Sequence, residues 1–189
     1  MAKINIELES FRSSVGEKLP LLGQLVIVTT INKNGIVNAA VKSEIMSAVS
    51  NPPILAFSCN LTHHTAQNIL EQHEFVVNIP GEDIVKQTME TSKDYPREVN
   101  ELEKAGLHAV PSSVVKPPRI EECPVNLECK EEFLKLYDDE IIIFGHVVAV
   151  SIDEEVFQAS IEDRYRIAKP MVTTGEYRYA PISKLKKLP

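Results

Sequence analysis

The amino-acid sequence predicts a mostly β fold with accessory helices, in which antiparallel strands close, wholly or in part, into a barrel. Two observations carry this reading. The β-rich segments arrive as hairpins and meanders joined by tight turns, and the regular strand–helix–strand alternation of a doubly wound parallel sheet is missing. With 189 residues, 43% of them apolar, the chain is long enough for a single domain, 1–189, with its own core. Tryptophan is absent and aromatics make up 6%, so that core is aliphatic.

Taken in order, residues 24–41 read QLVIVTTINKNGIVNAAV. Arms at 25–31 and 36–41 flank a turn at Asn34-Gly35, both of which tolerate positive φ. Pro53 opens PILAFS, a short buried strand at 53–58. The segment 62–72, THHTAQNILEQ, has helix-start chemistry and leads into a strand at 75–79, FVVNI. From 82 to 105, sparse apolar residues at helical spacing in a charged background predict an insertion of two amphipathic helices about a turn near Tyr95-Pro96. Residues 107–118 read as an irregular connection. Two longer strands follow, 125–137 and 140–151, around Asp138-Asp139. Within the second, IIIFGHVVAV at 141–150 is the most apolar run of the chain, and Gly145 predicts a bulge or a close approach. Glu128 and the Glu131-Glu132 pair read as a solvated strand face. Beyond 153 lies a C-terminal extension, with a strand expected near Tyr177.

Charge removes several functional classes. Twenty Lys and Arg against 27 Asp and Glu leave a net −7, with a basic cluster only at Lys184, Lys186 and Lys187. A nucleic-acid partner is therefore not expected. No apolar run approaches 20 residues, so neither a transmembrane helix nor a membrane partner is expected, and MAKINIELESF lacks the apolar stretch of a signal peptide. Three cysteines, Cys59, Cys123 and Cys129, read as free thiols in a reducing cytoplasm. Neither GxGxxG nor GxxxxGK[ST] occurs.

Two segments could carry chemistry. From Ser58 and Cys59, a strand end passes through a short polar turn into a helix bearing Thr62, His63, His64, Thr65 and Asn68. The first N–H groups of that helix lack internal partners and sit at its positive end, so they suit either a phosphate or a plain N-cap by Thr62 or Thr65. The second segment is Asn38, Ala39, Ala40, Val41, Lys42 and Ser43, where small residues let a flat ligand approach a strand and Lys42 and Ser43 could meet a phosphate, or simply end a strand in solvent. A metal site is not expected: His63 and His64 point about 100° apart on a helix, and the spacing of Cys123 and Cys129 is wrong for zinc. Cys59 near a helix start would have a lowered pKa, but no acid stands close in sequence to orient a histidine base.

The series VIVTT, NKNG, VNAAVKSEI, VSNPPILAFS, HTAQNI and EFVVNI, continued by VNLEC at 125–129 and IFGHV at 143–147, resembles the flavin reductase-like FMN-binding split-barrel family, and within it the flavoredoxin group. The resemblance spans about 19–153 and extends weakly to Tyr179. It implies a six-stranded antiparallel Greek-key split barrel that binds FMN non-covalently, as a homodimer with the flavin near the interface. By position, Asn38 to Ser43 would run beside the isoalloxazine and reach the phosphate. Thr65 and its helix start would hold the phosphate, with Asn68 close by. His63-His64 replaces the charged residue that commonly precedes this threonine, and the pair is expected to face the phosphate or the flavin edge rather than a metal. Cys129 would belong to the fold. The implied activity is that of an FMN-dependent oxidoreductase, a flavin reductase with NAD(P)H as transient co-substrate. The alternatives are a flavoredoxin-like electron carrier between redox protein partners, and FMN binding without turnover.

Overall fold

In a computed structural model, which describes residues 22–175 and 178–186, the chain opens with β1 (Gly23–Gln24) and the hairpin of β2 (Val26–Ile31) and β3 (Val37–Lys42). The hairpin turn is wider than two residues. Asn32 N–H donates to Ile36 O at 3.1 Å and Gly35 N–H to Asn32 O at 2.9 Å. Asn32 Oδ1 also accepts the N–H groups of Asn34 and Ile36 at 2.9 and 3.0 Å, so its side chain organises the loop and only Gly35 takes a positive φ, 78°. There follow β4 (Ile45–Val49), β5 (Ile54–Asn60), α1 (His64–Gln72) and β6 (Glu74–Ile79).

The insertion is a 3₁₀ turn at Glu82–Ile84, then α2 (Val85–Glu90) and α3 (Glu101–Lys104). The connection expected to be irregular contains a small ladder, β7 (Ala109–Val110) with β8 (Arg119–Ile120). The long strands are β9 (Val125–Tyr137) and β10 (Glu140–Ile152). The C-terminal extension holds α4 (Glu154–Gln158), α5 (Ile161–Ala168), β11 (Met171–Gly175) and β12 (Arg178–Pro181). Tyr177, where a strand was expected, lies outside the described residues.

The main sheet is antiparallel, in the order β3-β2-β6-β9-β10-β5-β4. It has seven strands rather than six, because 45–49 pairs with β5 as an extra edge. The edges β3 and β4 are separated by Ser43 and Glu44 alone, and three Cα steps span at most about 11 Å. The sheet must therefore roll until its edges meet at that corner. Inside the roll, Val26, Val28, Leu55, Phe57, Phe75, Ile141 and Ile143 form the main core. Phe57 and Phe75 meet edge to face at 5.4 Å although two strands lie between β5 and β6. Gly145 shows both expected features: the β9–β10 register slips beside it, and a Cβ there would stand 2.2 Å from Phe75 Cζ.

Outside the roll, the two halves of the sheet differ. Ile27 and Ala39 are covered by Leu102, Ala105, Leu107, Ile120 and Cys123 of the insertion and its return, a second core. Glu128 belongs to this covered half and is not on a solvated face. It is 1% exposed, and its carboxylate accepts the N–H groups of Ser113, Val114 and Val115 at 2.8, 2.7 and 3.3 Å. The other half has no such cover among the described residues. Phe133, Phe144, Ala56 and Met46 stand in one register row across β9, β10, β5 and β4. Phe133 and Phe144 stack at 4.0 Å, and Phe133 and Met46 are exposed. Among the described residues, no helix is long and apolar enough to cross a membrane.

Candidate functional site

The free edge of β3, the start of α1 and the insertion helix α3 converge at the corner where the barrel closes. Among the described residues, β3 pairs only with β2. In an antiparallel ladder, alternate residues turn their N–H and C=O groups toward the partner or away from it. Ala39 N–H donates to Glu101 Oε2 at 3.2 Å, so Ala39 faces away from β2, and so does Val41 two residues on. Ala39 is buried under the insertion, and the half-buried Ala40 follows it with an equally small side chain. Lys42 and Ser43, both half-buried, end the strand at the corner.

Asn60 Oδ1 accepts both the backbone N–H and the hydroxyl of Thr62, at 2.9 and 2.7 Å, so Thr62 is spent on the turn before the helix. The N-cap is His63, with extended backbone and no side-chain cap bond, and no acidic residue lies in the first turn. Plain capping by Thr62 or Thr65 is therefore not what this sequence does. Thr65 and Asn68 are buried and point back at the barrel, while Thr62 and His63 are exposed and His64 is half-buried. Asn68 Nδ2 donates to Thr30 Oγ1 at 3.0 Å, anchoring α1 to β2. Asn38 meets the Thr65 hydroxyl at 3.2 Å, which ties β3 to α1 directly.

Asn38, Thr65 and His64 are thus brought together. Cys59 joins the inner core, close enough to Lys42 to feel its charge, and by strand alternation Ser58 takes the opposite face of β5. Burial pushes the Cys59 thiol up; Lys42 opposes this and Glu140 adds to it. The lowered pKa expected at a helix start does not materialise, because desolvation outweighs the cation. Burial likewise pushes the thiols of Cys123 and Cys129 up.

Two residues escaped the sequence reading. Arg97 donates to Gln67 Oε1, Asn68 Oδ1 and Glu71 Oε1 at 3.1, 3.2 and 2.8 Å, clamping the segment before α3 onto α1. Glu101, 6% exposed, is the acid missing beside the histidines. Its Oε1 lies 3.2 Å from His64 Nδ1, across 37 positions of sequence. The Asn38 amide satisfies both neighbours with its nitrogen toward the Glu101 oxygens, at 3.2 and 3.1 Å, and its oxygen accepting the Thr65 hydroxyl. Burial pushes the Glu101 carboxyl up; the His64 and Ala39 hydrogen bonds offset part of this, and Asp94 adds to it. The only local signal was Asn100, whose Oδ1 accepts Glu103 N–H at 3.3 Å: it marks a helix start but not what that helix touches. Among the described residues, no three His, Cys, Asp or Glu gather in a way that could hold a metal ion.

Residues 21–178 match the family model of the flavin reductase like domain. An uncharacterized protein of Aquifex aeolicus is 34% identical over 158 residues, 80% of each chain. Nitrilotriacetate monooxygenase component B from Bacillus cereus shares the architecture, with a TM-score of 0.86 at 25% identity over 100% of this chain and 98% of its own. Flavoredoxin of Desulfovibrio vulgaris (Miyazaki F) has the same fold, with a TM-score of 0.83 at 20% identity over 100% of this chain and 97% of its own.

Proposed function

Because this chain belongs to the flavin reductase like domain family, we propose that it is an FMN-dependent oxidoreductase of flavin reductase type, drawing electrons from NAD(P)H. The observation that supports this best is the start of α1, whose N-cap His63 makes no side-chain cap bond, set against the edge of β3 at Val41. Uncapped N–H groups at the positive end of a nine-residue helix suit a phosphate. The outward N–H and C=O of Val41 suit the donors and acceptors on the rim of an isoalloxazine. The residues fit the cofactor.

In this reading the first N–H groups of α1, with His63 and His64, hold the phosphate, and Lys42 and Ser43 close on it from β3. Asn38, Thr65 and Asn68 hold the two elements in register from beneath. Bound FMN supplies the two-electron chemistry, and the chain supplies binding, orientation and electrostatics. A dinucleotide that only stacks on an open flavin face needs no Rossmann motif. The outer row that carries exposed Phe133 and Met46, with Phe144 and Ala56 between them, supports a homodimer. Three buried free cysteines fit a reducing cytoplasm.

Steady-state oxidation of NADH and NADPH by the purified protein tests the activity. FMN-dependent turnover with at least one nucleotide is expected. Bound FMN that neither nucleotide reduces would overturn the reductase reading and leave that of an electron carrier between proteins.

A further inference from the structure

Glu101 reaches from a four-residue helix of the insertion into the corner between β3 and α1. Taking a carboxylate out of water is costly unless its oxygens find donors. Here Ala39 N–H and the Asn38 amide supply two, and a glutamine could accept from the first equally well. What a glutamine could not supply is an ionic partner for the half-buried His64, whose Nδ1 lies 3.2 Å from Glu101 Oε1. A histidine held through one ring nitrogen presents the other in a fixed direction. His64 is also the first residue of α1, the end of the helix at which an anion is favoured.

We propose that Glu101 is a positioning residue that holds His64 through Nδ1, so that an imidazolium bonded to the carboxylate on one side donates from Nε2 to the flavin phosphate on the other. This rests on the FMN reading above and deepens it. An imidazolium has N–H donors on both sides, whereas a neutral ring that donates from Nδ1 to Glu101 has only a lone pair at Nε2, for which a phosphate dianion has no donor. Binding of the phosphorylated flavin is therefore coupled to a proton on His64, and Glu101 sets the pH range over which the coupling holds. The groups around the pair are Asp94 and Tyr95 from the segment before α3, the Asn38 amide and Ala39 N–H from β3, and His63 next along α1.

The test is the ratio of FMN dissociation constants, Glu101→Gln over wild type, measured as a function of pH; the phosphate's own ionisation cancels in that ratio. The ratio should lie near one at about pH 5.5 and climb to about 5–10 by about pH 7.5, because a carboxylate within hydrogen-bond distance favours the charged form of an imidazole. With riboflavin, which has no phosphate, the ratio should stay near one throughout. In a His64→Gln background, Glu101→Gln should change FMN affinity no further. A pH-independent ratio, a riboflavin ratio that tracks that of FMN, or additive losses in the double variant would each overturn the proposal. Thermal melts without flavin check that Glu101→Gln folds as wild type does; if it does not, His64→Gln alone carries the test, and FMN affinity with an unchanged pH profile overturns the proposal. Wild-type protein that fails to bind FMN would overturn the reading beneath it, and the proposal with it.

Discussion

Glu128 shows how one side chain can hold a long segment in place. Burial pushes its carboxyl up, but the N–H groups of Ser113, Val114 and Val115, with the Arg119 charge, hold it net below the usual carboxylate range. A group whose pKa is lower folded than unfolded adds stability above its unfolded pKa, about 4.3 for Glu, and loses it as pH falls through the folded value. Glu128→Gln should therefore be less stable than wild type at neutral pH, and the gap should narrow by about pH 3, on the acid side of the unfolded value. Urea midpoints at the two pH values check this; a gap of equal size at both would show that the charge is not what matters. Gly145 and Glu101 are also residues on which much geometry rests, the first because Phe75 occupies the space a side chain would need, the second because it joins three elements.

Among the elements, legibility in the sequence followed locality. The bounds of β9 and β10 could be read from a long apolar and alternating run with Asp138-Asp139 between them, and the structure moves only one end, to Ile152. The helix after Asn60 was legible from its polar turn, and α1 begins two residues later than expected because Asn60 and Thr62 bond each other. In contrast, α4 and α5 have Glu154, Glu155, Glu162, Asp163, Arg164 and Arg166 within two short helices, and of their residues only Val156 is buried, so no core-facing stripe marks them. The Asn34-Gly35 turn was placed correctly but mistyped, since nothing local shows that Asn32 will supply the acceptor. The segments of the candidate site were legible as segments, not as partners. Asn38 and Thr65 meet across 27 positions, and His64 and Glu101 across 37. Such pairings are consequences of how the sheet rolls, which no window of sequence contains.

At the scale of the whole molecule, the insertion clothes one outer half of the barrel and not the other. Exposed Phe133, stacked on half-buried Phe144 and in line with exposed Met46, is a poor surface to leave in water, and a second copy that covers it buries apolar area on both chains. Light scattering over a dilution series should show a dimer, and Phe133→Glu should yield monomers with weakened FMN binding. A wild-type monomer that keeps FMN at working concentration would remove the interface from the account. In the proposed function a flavin is held by its phosphate at the start of α1. Equilibrium titration of the apoprotein with FMN and with riboflavin tests this most directly. FMN should bind at least about tenfold more tightly, the ~1.4 kcal/mol expected of a charge-assisted anion contact at a helix N-terminus. Riboflavin binding as tightly as FMN would contradict it.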